Sequence, residues 1–321
     1  MSTQTTKPVF LICSERSGSN LISTIMGTHS EIYALPPIHF GLTALLNMHE
    51  TVQAGVESKA WTLIKRRLVR HTKTHLDDEI ANKLKRWLNS QDKIDPQKIT
   101  RYVFEEMAPR KGAGITFIKE KKLHHMMFFL LQCYPEAQFV FQVRDPRDFL
   151  VSAKTVQPNP DNIKFKSVRN ALRIWNDDQM GGLRALGLLG KDRVFLHRYE
   201  DLISDPQEVL QRLCSFLGLE FEPGMLDFHK TDEAIKLAGS ARPRKNVSQP
   251  LISGNFAKYR KGLTTKEIRK VENQLGDLMD IFGYPREREQ AHKPYRFLGP
   301  KNGSLKPGER PPLLPLLSYD T

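Results

Sequence analysis

The chain contains no Gly-Lys-Ser/Thr triplet, which excludes the pattern in which a P-loop lysine reaches the phosphates of a nucleoside triphosphate. Cysteine is scarce. Cys13, Cys133 and Cys214 lie far apart, form no Cys-x-x-Cys pair and sit in apolar runs, so they read as buried reduced thiols. No apolar run approaches the roughly 18–20 residues of a membrane helix. Ahead of Glu15 and Arg16 stand one lysine and a short apolar run, too little for a signal peptide. Thiols of this kind and the missing signal lead to the expectation of a cytoplasmic protein. There is no internal repeat. Acidic residues are also short: 36 Asp and Glu stand against 49 Lys and Arg, a net charge of +13 over 321 residues. Such a balance points to polyanionic partners without choosing among nucleotides, acidic substrates, nucleic acid and membrane surfaces. A hydrophobic content of 39% with 26% charged residues suits a globular chain with a sizeable core.

Residues 8–27, PVFLICSERSGSNLISTIMG, organise the rest. Val9 to Cys13 reads as a buried strand, Ser14 to Gly18 as a tight polar turn, and Ser19 onward as a helix. The first amides of a helix lack intrahelical partners and carry the positive end of its dipole, so this junction suits an anion. Arg16 adds a guanidinium fork, Ser17, Ser19 and Asn20 add hydrogen-bonding side chains, and Gly18 allows close backbone approach. The competing reading is plain turn chemistry and helix capping.

Further along, Ile32 to Leu35 is expected to be a second strand, stopped by Pro36-Pro37 ahead of His39. Residues 40–107 read as a helical insertion: mostly helix from Phe40 to Arg70, then Leu76 to Leu88 and Gln97 to Met107. Gly114 to Ile118, Gln138 to Val143 and Arg193 to His197 read as strands. Leu123 to Cys133, Pro146 to Lys154, Phe165 to Leu188, the segment from Asp205-Pro206 to Gly218, and Thr264 to Phe282 read as helices. Thr231 to Gly254 reads as a long basic loop. The segment 285–321 is a Pro-rich basic tail with little periodicity. Alternating strands and helices indicate an α/β fold with a central, mostly parallel sheet covered on both faces, and ligands outside the carboxyl ends of its strands.

A second motif follows the apolar strand QFVFQV: Arg144-Asp145-Pro146-Arg147-Asp148, with Ser152 on the helix that Pro146 opens. Arg144 and Ser152 can converge on one phosphate. Alternatively, Arg144 and Arg147 merely pair with Asp145 and Asp148. A third strand ends in Arg198 and Tyr199-Glu200-Asp201-Leu202.

Together these motifs resemble the sulfotransferases that use 3′-phosphoadenosine 5′-phosphosulfate (PAPS). Ser14 to Leu21 is similar to the family's 5′-phosphosulfate loop, Arg144 to Ser152 to its 3′-phosphate motif, and Tyr199 to Leu202 to its third signature. The resemblance covers residues 7–284 and implies a P-loop-like three-layer fold, with 1–284 as the sulfotransferase domain. It also implies PAPS as co-substrate and 3′,5′-adenosine bisphosphate (PAP) as product. Arg16, Ser17, Gly18, Ser19, Asn20 and Leu21 would hold the phosphosulfate, Arg144 and Ser152 the 3′-phosphate, and Tyr199 the nucleoside. Arg244 and Lys245 would add late basic contacts, with Arg242 beside them.

Sulfuryl transfer rests on positioning and charge stabilisation, plus a base for the acceptor hydroxyl. Ala34 to His39 resembles a segment of bacterial members acting on hydroxylated acyl chains, in which a glutamate and a histidine follow the prolines. Here Pro37 stands at the glutamate position, so the resemblance turns to His39 as base. Glu120, His124 and His125 lie in another segment where members place catalytic groups. No metal is required. His71 and His75 are four apart, but no third ligand is evident, and they read as a solvated helix face. The expected partner is a hydroxylated acceptor of open class, not nucleic acid; a homodimer is left open. Two other readings stand beside this one: a Mg²⁺-dependent kinase-like transferase, disfavoured without a Walker lysine, and a non-catalytic basic nucleotide or nucleic-acid binder.

Overall fold

Five short runs of apolar residues form one parallel sheet: β1 (Lys7–Cys13), β2 (Ile32–Leu35), β3 (Ile115–Ile118), β4 (Gln138–Val143) and β5 (Val194–Arg198). The computed structural model of the chain describes residues 6–43, 48–107, 112–155, 164–165, 167–240, 247–252 and 254–287. Strand order is β2-β3-β1-β4-β5. In register, Val9 faces Phe117 on one side and Gln138 on the other, and Val143 faces Arg198. The strands alternate between two cores. Phe10, Ile12, Phe139 and Phe141 point to one face, and Val9, Leu11 and Val140 to the other. Both sets are buried, so the runs read as continuously apolar, as expected for a sheet covered twice.

Helices supply the covers. They are α1 (Ser19–Met26), α2 (Phe40–Thr43), α3 (Met48–Ala54), α4 (Lys59–His75), α5 (Asp78–Asn89), α6 (Pro96–Arg101), α7 (Met127–Cys133), α8 (Pro146–Lys154), α9 (Val168–Leu189), α10 (Tyr199–Ser204), α11 (Pro206–Leu217), α12 (Asp232–Ser240), α13 (Tyr259–Gly262) and α14 (Thr265–Ile281). α1 and α11 contribute to the face of Val9; α4 to α9 and α14 contribute to the face of Phe10. Aspartates cap α6, α8 and α11 just ahead of a proline at the first turn. Thr264 and Glu267 form a reciprocal capping box on α14.

The insertion after β2 is helical, as its pattern implies, but in pieces. Gly55 adopts φ +81 between α3 and α4 and breaks the long helix expected there. The basic loop expected over Thr231 to Gly254 is corrected at its start. Asp232–Ser240 is helix α12, because Thr231 Oγ1 accepts from the Ala234 amide at 3.2 Å and two acids stand in the first turn. Residues 288–321 of the tail lie outside the described residues. Among the described residues no helix is long and apolar enough to cross a membrane.

The connections define where a ligand goes. From β1 the chain crosses to β2 on one side. It returns through β3 and passes over β1 to β4 on the other. The carboxyl end of β1 is therefore the switch point of the sheet, the place where parallel sheets of this kind take their ligands. Five strand ends meet along that edge: Ser14–Gly18, Pro36–His39, Lys119–Lys122, Arg144–Asp148 and Tyr199.

Candidate functional site

The β1 loop is strained in a way that serves close approach. Gly18 adopts φ +87 and caps α1, whose first turn carries no side-chain cap. Arg16, at φ +72, also lies in the left-handed region, which costs a residue with a β-carbon about 1–2 kcal/mol. Arg16 Nε donates to Ser152 Oγ at 3.2 Å, joining the loop to α8. Ser17 is buried, and its Oγ has no hydrogen-bond partner. Ser19, Asn20 and Leu21 form the first turn of α1. Gln142 Nε2, on β4, donates to the Ser17 carbonyl and ties the two strand ends together.

The β4 loop brings the second arginine to the same place. Arg144 Nη1 donates to the Arg16 carbonyl at 2.9 Å, and its guanidinium lies 4.5 Å from the centroid of the Tyr199 ring. Trp175 Nε1, on α9, holds the Arg144 carbonyl at 3.0 Å. Arg144 Nε is buried without a protein partner. The two arginines of the motif thus separate. Arg147 turns into the core, binds Asp145 at 2.7 Å and Glu272 at 2.9 Å, and stacks on Tyr259. Asp148 accepts from the Tyr259 amide at 2.9 Å, and burial pushes its carboxyl up. Internal ion pairing therefore accounts for Arg147. Arg144 approaches Asp148 only to 4.0 Å and faces the β1 loop.

Tyr199 is buried, with its hydroxyl accepting from Asn255 Nδ2 at 2.8 Å. Glu200 beside it braces the motif: Oε1 accepts from the Asp145 amide at 3.1 Å and Oε2 from the Tyr284 hydroxyl at 2.7 Å. Burial pushes the Glu200 carboxyl up to about 7. Arg244 and Lys245 lie outside the described residues.

On the other flank of β1, Glu120 sits beneath the proline loop. Its Oε1 accepts from the Ile38 amide at 2.8 Å, and burial pushes its carboxyl up to about 7. His39 itself adopts φ +57, with a buried Nδ1 that has no partner. Burial first, and then the charge of Lys121, hold its imidazole down at about 4. His124 is enclosed against Gly181 on α9, its Nδ1 3.8 Å from Asp178, and burial likewise lowers it to about 4. His125 is exposed and faces Asp177 at 3.7 Å.

Three groups here escaped the motif reading. Lys119, the last residue before Glu120, donates from Nζ to Asn20 Oδ1 and so reaches the first turn of α1. Its position at the end of a strand beside β1 was the available signal. Gln179 holds Ser14 Oγ at 2.8 Å, and Asp178 holds Lys122 at 2.8 Å, so one turn of α9 lines the cleft. His71 and His75 are half-buried rather than on a solvated face, and the third histidine that the spacing lacked is His39.

Known proteins share this fold. The family model described as "Sulfotransferase family" matches residues 8–223. Carbohydrate sulfotransferase 3 of Tetronarce californica is 30% identical over 164 residues, 46% of this chain and 36% of that protein. The chain spans less than half the length of the curated relatives it matches. Among solved structures, the sulfotransferase domain of the Synechococcus PCC 7002 olefin synthase superposes with a TM-score of 0.59 at 20% identity, covering 85% of this chain and 96% of that domain. A mouse sulfotransferase complexed with PAP gives 0.51 at 14% identity, covering 86% of each chain. At such identities the likeness is one of fold, and the family match supplies the rest: the chain belongs to the sulfotransferase family.

Proposed function

We propose that the chain transfers a sulfuryl group from PAPS to a hydroxyl acceptor. One observation carries this reading. Ser17 Oγ and Arg144 Nε are buried and unpartnered on two different loops, and those loops are joined through Arg144 Nη1 and the Arg16 carbonyl. Buried polar atoms are normally paired, so two orphans on joined loops beside a left-handed glycine suit an anionic ligand. The mouse fold neighbour was solved with PAP, a molecule of that kind.

In this reading Arg144 and Ser152 bind the 3′-phosphate, and Tyr199 packs on the nucleoside. Ser17 to Leu21 cradle the phosphosulfate. Arg16 and Lys119 face the charge that grows on the oxygen bridging sulfur and phosphate; one such donor is typically worth about 10²–10³ in rate. The acceptor oxygen bonds to sulfur, the sulfur–bridge bond breaks, and the acceptor proton goes to a base. His39 is assigned that role: it stands at the strand end beside Lys119 and offers an unpartnered ring nitrogen. Glu120 is assigned a positioning role: its Oε1 accepts from the Ile38 amide and so holds the His39 loop, while its Oε2 has no partner. The helical insertion from α2 to α6 is where acceptor shape is read. Three cysteines without a disulfide suit a reducing cytoplasm.

The test incubates the protein with PAPS carrying labelled sulfate and a pooled extract of hydroxylated metabolites, then identifies the labelled product. Label transferred without added metal supports the reading. ATP turnover dependent on Mg²⁺ with no sulfate transfer overturns it in favour of a kinase-like enzyme.

A further inference from the structure

The structure gathers three imidazoles that the sequence keeps apart. His71 and His75 are four residues apart on α4 and share one face of it. His39 reaches them from the loop after β2, its ring centroid 4.9 Å from that of His71 and 5.6 Å from that of His75, both edge-on. One ring nitrogen of each lies within 4.8 Å of the others, and all three residues are half-buried. We propose that His39, His71 and His75 form a binding site for a borderline divalent transition metal, with zinc as the probe ion.

The donor set selects the ion. Three imidazoles suit zinc, copper, nickel or cobalt, whereas magnesium and calcium take oxygen ligands. Three protein ligands leave a fourth tetrahedral position open. Zinc–nitrogen bonds of about 2.0–2.1 Å place tetrahedral nitrogens about 3.4 Å apart, so the nitrogens must close by no more than about 1.4 Å. Side-chain rotation supplies that. The backbones on both sides are fixed: α4 is capped by Ser58, and Glu120 clamps the His39 loop through the Ile38 amide. His39 pays for its left-handed backbone at φ +57, a kind of strain that clusters at ligand sites, and its buried Nδ1 has no hydrogen-bond partner. Opposing these features, the charges of Lys119 and Lys121 reach His39. Lys121 faces Glu15 at 3.9 Å and Lys119 bonds Asn20, which blunts but does not remove the repulsion. The expected affinity is therefore micromolar rather than that of a closed structural zinc site.

A metal on His39 takes the lone pair that proton abstraction needs. On the reading of His39 as base, the metal-loaded protein is switched off and the metal-free protein is active.

Calorimetric titration of the full chain with zinc chloride, and visible absorption on adding cobalt(II), read the site without any activity. The expected result is one ion per chain at micromolar affinity, with the bands of tetrahedral cobalt. His71→Gln and His75→Gln each weaken binding at least tenfold, while circular dichroism and PAP affinity stay unchanged. His125→Gln, at a second cluster with His124 and Asp177, leaves zinc binding intact. No zinc or cobalt binding by the unaltered chain overturns the proposal. So does binding that survives the double variant His71→Gln/His75→Gln and disappears in His125→Gln. Zinc titrated into the transfer assay lowers the rate in step with occupancy. Stoichiometric binding at an undiminished rate leaves the metal site standing and removes His39 from proton transfer.

Discussion

Replacing Gly18 by alanine places a methyl carbon 2.4 Å from Tyr199 Cδ2 and 2.5 Å from Cε2. Two costs add. The residue keeps φ near +87, where a β-carbon costs about 1–2 kcal/mol. The overlap costs about 1–3 kcal/mol, as overpacked contacts do. It is not relieved cheaply, because Tyr199 is held by Asn255 at its hydroxyl and by the Arg144 guanidinium on its face. The sum is about 2–5 kcal/mol, which at about 2–4 °C per kcal/mol lowers Tm by roughly 4–20 °C. If the ring swings away, Arg144 moves with it. PAP binding should then weaken at least about tenfold, or 1.4 kcal/mol. Thermal melting and calorimetric PAP titration on one preparation read both effects. Wild-type Tm refutes the packing argument. A lowered Tm with unchanged PAP affinity refutes the link from Gly18 through Tyr199 to the nucleotide.

Removal of the proposed base, His39→Ala, should lower turnover by about 10²–10⁴ with PAP affinity held; full turnover would move the role to His124. Lys119→Met should cost about 10²–10³ in rate with PAP affinity within a few-fold, and an unaffected rate would remove it from charge stabilisation. Glu200 makes stability pH-dependent. Its carboxyl titrates near 7 in the folded chain against 4.5 for the ordinary group, so the folded state holds a proton that the unfolded state has released between these values. Stability therefore falls as pH rises from about 4.5 to 7, by no more than about 3 kcal/mol and by less where solvent screens the carboxylate edge. Glu200→Gln should flatten that part of the denaturation profile, and an identical profile in the variant would reject the assignment.

The parts of this fold that are legible in the sequence are those written in local chemistry. Val9 to Cys13 followed by Ser14–Gly18 is a strand feeding a turn, whatever surrounds it. Asp145-Pro146 and Asp205-Pro206 start helices by capping and by proline's fixed φ. What stayed hidden depends on contacts between distant residues. Arg144 and Arg147 look alike three residues apart. Only the packing of Glu272 and Tyr259 draws one into the core and leaves the other at the β1 loop. Lys119 bonds Asn20 across 99 positions, and His39 meets His71 across a helical insertion, so spacing carries no trace of either. Helix α12 is masked in the sequence by the Gly, Ser and basic residues that follow it, although Thr231, whose side chain caps it, stands at its start.

The central claim is that the β1 and β4 loops hold opposite ends of one nucleotide, and a ligand–protein cycle tests it most directly. PAP and adenosine 5′-monophosphate differ only in the 3′-phosphate. Calorimetric affinities of both for the unaltered chain and for Arg144→Ala give the coupling between that phosphate and Arg144. The account predicts that Arg144→Ala weakens PAP at least about tenfold, 1.4 kcal/mol, and leaves the monophosphate within a factor of about two. An equal loss for both ligands, or none for either, would contradict it.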